Sequence, residues 1–206
     1  GSVNPVFVTG AALAERGEEI ATGYAASVAG SAGPLCTKPG FLWVPASDAA
    51  AELELRVSQA AERAAEHRLL NPSIGRAYIE RRAAVLDAEG VRVVAEGSVR
   101  SGDDGNVWAT PTIVAVPASK LEAGDETLLD EVFGPFSIIV EYAEEASLAP
   151  SLDELYVGNL TGTVHAAAGE QSPALSSLVA GLARKTGRVL FGGWPTGVAV
   201  TPAMQH

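Results

Sequence analysis

The sequence is short of the side chains that most often form crosslinks or bind metals. One cysteine, Cys36, stands in 206 residues, so an internal disulfide and the paired thiolates of a structural zinc site are both excluded. The three histidines, His67, His165 and His206, are scattered, and no metal-ligand spacing or Cys-His couple can be read from them. Basic residues are also scarce, with 14 Lys and Arg against 25 Asp and Glu and a formal net charge of -11. Nucleic acid and anionic membrane surfaces both demand cationic clusters, so neither is an expected partner. There is no apolar run long enough to cross a bilayer and no charged-then-apolar leader. The expected location is the cytoplasm. No internal repeat, low-complexity tract or linker divides the chain, which at this length reads as one compact domain.

What is present is an alternation of apolar strands and Ala-rich helical patterns. Val3 to Val8 is apolar and β-branched, and Ala11 to Ala29 follows with apolar positions at helical spacing. Phe41 to Pro45 reads as a short buried strand, and Asp48 as the cap of a helix running to about Leu70 that contains His67 as a solvated residue. A helix from Ser73 to Ala88 leads to a strand at Val91 to Val94. Trp108 to Val116 reads as one strand after the turn Gly102-Asp103-Asp104-Gly105. Phe136 to Tyr142 and Thr161 to Ala166 read as strands, with a short helix at Leu152 to Tyr156 between them. A last helix spans Pro173 to Lys185, with Gly187 as its stop before a strand from Arg188 to Phe191. The expected class is α/β, a parallel or mixed sheet flanked by helices.

Cys36 lies in a turn bordered by glycine and proline, between a predicted helix and a predicted strand. Such turns in α/β sheets are where ligands are met. A thiol attacks only as thiolate, which needs backbone N–H groups, a cation or a base nearby; Lys38 could supply the cation. By composition alone the more usual reading of a lone cysteine is a small buried hydrophobe. Trp43 and Trp108 read as core or rim aromatics, and His165 as a core or lining histidine on a strand. Glu141, Glu144 and Glu145 read as a solvated face without a paired acid and base.

Three segments in order carry a resemblance. Gly33-Pro34-Leu35-Cys36-Thr37 is similar to the cysteine signature of the aldehyde dehydrogenase superfamily, and Asp130-Glu131-Val132-Phe133-Gly134-Pro135 to its Glu-Glu-x-Phe-Gly-Pro motif. Gly187 to Gly197, ending in Trp194-Pro195-Thr196-Gly197, resembles the late strand and loop at the aldehyde entrance. That form, like Cys36-Thr37-Lys38-Pro39-Gly40, is seen in the branch of 2-oxoglutarate semialdehyde dehydrogenases and NADP-dependent fatty aldehyde dehydrogenases.

The resemblance implies that residues 1–206 form the catalytic, thiol-bearing domain and that the cofactor-binding domain is absent from this chain. It implies an aldehyde substrate, NAD or NADP as cofactor, and a homo-oligomeric parent. Cys36 would be the nucleophile, forming a thiohemiacetal and then a thioester. Glu131 and Phe133 would contact the nicotinamide ribose and ring, and Trp194 the substrate. Departures from the family pattern are Pro34, where the family has Gln, and Gly192, where Asn is common. Gly1-Ser2-Val3-Asn4-Pro5 resembles the stretch just after the family's general-base Glu. On that reading the base, the oxyanion Asn and the nucleotide-binding βαβ units precede this chain, and the isolated chain is expected to lack dehydrogenase activity. Two other readings use the same residues: a thioester-forming acyl transferase or reductase on a related fold, and a non-catalytic scaffold or assembly domain.

Overall fold

A computed structural model describes residues 2–30 and 36–196. In chain order the elements are β1 (Pro5–Val8), α1 (Gly10–Ala29), β2 (Phe41–Pro45), α2 (Asp48–Glu62), β3 (His67–Arg68) and α3 (Pro72–Leu86). Then follow β4 (Arg92–Ala95), β5 (Val99–Ser101), β6 (Val107–Ala109), β7 (Thr112–Pro117), α4 (Ala118–Glu122) and α5 (Glu126–Leu129). The last are β8 (Phe136–Tyr142), α6 (Leu148–Leu155), β9 (Asn159–His165), α7 (Pro173–Lys185) and β10 (Thr186–Phe191).

Short polar side chains start the long helices by accepting orphan backbone N–H groups. Thr9 does so from Ala12 at 3.1 Å, Asn71 from Ile74 at 2.9 Å and Ser172 from Leu175 at 3.0 Å. Pro72 and Pro173 open their helices, where proline's missing N–H costs nothing. In α1 the backbone leaves helical geometry at Arg16, whose guanidinium donates to the Ala166 carbonyl at 2.8 Å. That bond ties the break to the end of β9.

Seven strands form one sheet in the order β10-β9-β1-β2-β8-β7-β4. All neighbouring pairs are parallel except β4 with β7, which is an antiparallel edge. Strand side chains alternate between faces, so β1 sends Phe7 into one core and Val6 and Val8 into the other. Leu13, Ile20 and Tyr24 of α1 and Leu53 and Val57 of α2 cover the second face. Leu121, Leu128, Leu152, Leu178 and Leu182, from α4 to α7, cover the first. The expected mixed α/β sheet flanked by helices is therefore the observed fold.

Several local expectations are corrected. Ser47, not Asp48, caps α2, accepting from Ala50 at 3.3 Å. The helix stops at Glu62, and His67 lies in β3, paired with Ala109 of β6. Leu69 beyond it is buried, so tertiary pairing and burial outweigh a continuing but weak helical pattern. The single strand expected over Trp108 to Val116 is split at Thr110-Pro111 into β6 and β7, which belong to different sheets. Proline cannot donate to a ladder, and here it marks the crossing. Gly187 does not stop α7. It lies inside β10, where an added Cβ would stand 3.2 Å from the Leu160 carbonyl oxygen.

Candidate active site

Cys36 is exposed, in the turn that leads through Thr37 to β2. A turn from helix to strand lies at the N-terminal edge of a parallel sheet, so the expectation drawn from ligand sites at strand C-terminal ends does not apply. What gathers there is the starts of β1, β2 and β9 together with the loop between α5 and β8. Ser2, Cys36, Glu131, Phe133, Gly158, Asn159 and Leu160 line one open cleft of about 460 Å³. Cys36, Glu131 and Phe133, distant in sequence, thus share a wall of one space. Gly33, Pro34, Leu35 and Gly197 of the matched segments lie outside the described residues.

The Asp130–Pro135 loop is held from outside the cleft. Arg81 of α3 pairs with Asp130 at 2.9 Å, and the Pro135 carbonyl accepts from the Thr112 backbone N–H at 2.8 Å. Gly134 lies against the Tyr78 ring so closely that a Cβ would fall 2.4 Å from it. With those anchors the intervening Glu131 and Phe133 are half-buried beside the thiol.

Lys38 does not extend toward solvent. Its side chain is 4% exposed and its ammonium donates to the Phe136 carbonyl. Burial pushes its pKa down to about 8, and the nearby Glu131 carboxylate opposes that shift. Lys38 and Glu131 line the same small space beneath the cysteine turn, with Ser2 and Asp130.

Asn4 was not singled out in the sequence, where it falls within the apolar stretch Val3 to Val8 that reads as a strand. Its residue is 1% exposed and its backbone is left-handed, with φ 43. The side-chain amide donates to the carbonyls of Cys36 at 2.8 Å and Lys38 at 2.9 Å. Its oxygen accepts from the Thr161 backbone N–H at 3.2 Å and from the Ser2 hydroxyl at 2.6 Å. Asn159 in turn accepts the backbone N–H groups of Val3 at 3.1 Å and Asn4 at 3.2 Å.

Two other candidates lie elsewhere. Trp194, expected beside the substrate, does not line this cleft; it packs on α1, with ring centroids 5.9 Å from Tyr24 and 4.9 Å from His165. His165, at the far end of β9, is 1% exposed, and neither ring nitrogen has a hydrogen-bond partner among the described residues. Burial, aided by the charge of Arg16, lowers its pKa to about 4. No group of side chains among the described residues could hold a metal ion. No described helix is long and apolar enough to cross a membrane.

The fold of the chain, an α/β sheet with a thiol and a Glu-x-Phe loop on one cleft at its N-terminal edge, is shared with solved aldehyde dehydrogenases. Solved aldehyde dehydrogenases match nearly all of it. The delta-pyrroline-5-carboxylate dehydrogenase of Mycobacterium tuberculosis superposes with a TM-score of 0.78 at 17% identity, covering 97% of this chain and 37% of that one. An NAD-dependent aldehyde dehydrogenase from Burkholderia multivorans gives 0.71 at 18% identity, covering 97% and 37%. No family model matches the sequence. Its curated relatives are more specific. The chain is 36% identical over 205 residues to an alpha-ketoglutaric semialdehyde dehydrogenase of Acinetobacter baylyi and 34% identical to alpha-ketoglutaric semialdehyde dehydrogenase 2 of Azospirillum brasilense. The chain is thus similar in sequence to these two curated dehydrogenases and similar in fold to the solved aldehyde dehydrogenases. All of it matches, but it spans only 38% of the length of either curated relative.

Proposed function

We propose that this chain is the thiol-bearing catalytic part of an NAD(P)-dependent aldehyde dehydrogenase that oxidises an aldehyde to a carboxylic acid, with 2-oxoglutarate semialdehyde as the substrate its relatives suggest. The observation that carries the proposal is the meeting of Cys36, Glu131 and Phe133 on one cleft.

In this reading the Cys36 thiolate attacks the aldehyde carbonyl carbon, and the carbonyl oxygen takes up the negative charge. Backbone N–H groups of the cysteine turn are suited to receive that oxyanion, because they are fixed before the charge develops. The cleft residues fit the nicotinamide half of the cofactor: Glu131 offers a carboxylate acceptor for ribose hydroxyls, and Phe133 offers an apolar face. Bound there, a nicotinamide would accept the hydride from the thiohemiacetal carbon. The acyl group left on Cys36 then needs an activated water, and the described cleft offers no carboxylate base other than Glu131, which this reading assigns to the cofactor. The base would come from the remainder of the protein, and so would the main nucleotide site.

The test is NAD(P)H formation by the longer protein containing this chain, assayed with an aldehyde panel including 2-oxoglutarate semialdehyde, beside the same protein carrying Cys36→Ala. Turnover that vanishes in the variant is the expected result. Undiminished turnover in the variant would make Cys36 structural and remove the proposal.

A further inference from the structure

We propose that Asn4 is the positioning residue of the Cys36 nucleophile, its buried carboxamide holding the two carbonyls of the cysteine turn so that the thiol and the turn's backbone N–H groups keep one orientation. The inference rests on Cys36 being the nucleophile. Cys36 itself is exposed, whereas Lys38 two residues on is buried. The bonds from Asn4 to the Cys36 and Lys38 carbonyls fix the main chain on the C-terminal side of the cysteine. The opposite end of the amide is anchored to Thr161 and Ser2. The side-chain oxygen of Asn159, a residue of the cleft wall, accepts the backbone N–H of Asn4. The turn is thereby tied to the starts of β1 and β9 rather than only to its own strand.

The residue type follows from two demands made at one position. The left-handed backbone at φ 43 is tolerated by Gly, Asn and Asp and disfavoured by other side chains. Donating to two carbonyls while accepting elsewhere requires an amide on a short stem. Gly meets the first demand and Asp meets the first with the same shape, but neither can donate. Asn meets both. A strained non-glycine residue that is buried and over-determined by its bonds is the kind of feature that gathers at active sites.

Positioning can be separated from simple stability by two reactions of the same sulfur. With p-nitrophenyl acetate the thiolate attacks the ester carbonyl, a C–S bond forms, p-nitrophenolate leaves, and the transient oxyanion needs the aligned N–H groups. With iodoacetamide the thiolate displaces iodide directly and no oxyanion forms. We would measure both rates at one pH for the 206-residue chain and its Asn4→Gly and Asn4→Asp variants, with Cys36→Ala as the blank and far-UV circular dichroism as the check of fold. The expected result is an acylation rate about tenfold or more lower in both variants, since small misplacements of reacting groups cost that much, with alkylation changed less than about twofold because it needs no such alignment. Equal rates in all three proteins, or acylation and alkylation falling together, would overturn the role. Loss of the folded spectrum in both variants would make Asn4 a folding residue and overturn it also. A parent chain with no Cys36-dependent acylation would instead remove the nucleophile reading, and the role of Asn4 with it.

Discussion

At the scale of single residues, the consequential groups are titratable side chains held out of water. His165 is buried against Trp194, and its pKa of about 4 lies below the ordinary histidine value. Between pH 6.5 and 4 the unfolded chain binds a proton that the folded chain refuses. Its contribution is therefore complete above pH 6.5 and lost as pH falls toward 4. The difference corresponds to roughly 3 kcal/mol. Urea midpoints at pH 7 and pH 4.5 should drop less in a His165→Phe variant than in the parent; equal drops would show that the ring is protonated in the fold. Lys38 acts in the opposite pH range. Its pKa is lowered to about 8, so the unfolded chain holds the extra proton between pH 8 and 10.5. Stability should rise across that window in the parent and stay flatter in Lys38→Met. Only the identities of these two residues were open to a sequence reading, because burial and neighbours set both shifts.

At the scale of elements, strands and helices whose pattern agreed with their surroundings were legible to the residue. Phe41–Pro45, Phe136–Tyr142 and Pro173–Lys185 form as read. Continuous apolar runs suit strands covered on both faces, and Ser172-Pro173 is an unambiguous helix start. Elements that depend on distant partners were missed: β3 exists because His67 and Arg68 pair with Ala109 and Trp108, which no local pattern encodes. Packing between elements is also invisible locally. Gly23 in the interior of α1 would by propensity gain from alanine, but an added Cβ there meets the Trp194 indole nitrogen at 2.1 Å. Gly23→Ala should thus lower the melting temperature, by an amount corresponding to about 1–3 kcal/mol of overpacking, and should shift the tryptophan emission as Trp194 is displaced. A rise in melting temperature with unchanged emission would show that the loop yields without cost.

At the scale of the molecule, the sheet order places β1 between β9 and β2, so the starts of three strands and the Glu131 loop converge on one edge. That edge holds the thiol together with Glu131 and Phe133, the two residues that the proposed function gives to the cofactor. We expect the isolated chain, given an aldehyde and NAD or NADP, to form no reduced cofactor even where Cys36 reacts with p-nitrophenyl acetate. Absorbance at the reduced-nicotinamide band would read this directly, and sustained reduction by the chain alone would show that the remainder of the protein is dispensable. The net charge of -11 bears on solubility and on the choice of partners rather than on this division of labour.

The sequence alone determined the class of fold and most of the long elements, because periodicity is local, and its contiguous motifs singled out Cys36, Glu131 and Phe133, which the fold brings to one cleft. It did not determine which edge of the sheet carries the thiol, that Lys38 turns inward to the Phe136 carbonyl, that Trp194 packs on α1, or that Asn4 holds the cysteine turn across 32 positions of sequence. These were decided by the tertiary structure. Each depends on where a side chain's hydrogen-bond or packing partner arrives from elsewhere in the chain, and that is fixed only when the strands take their order.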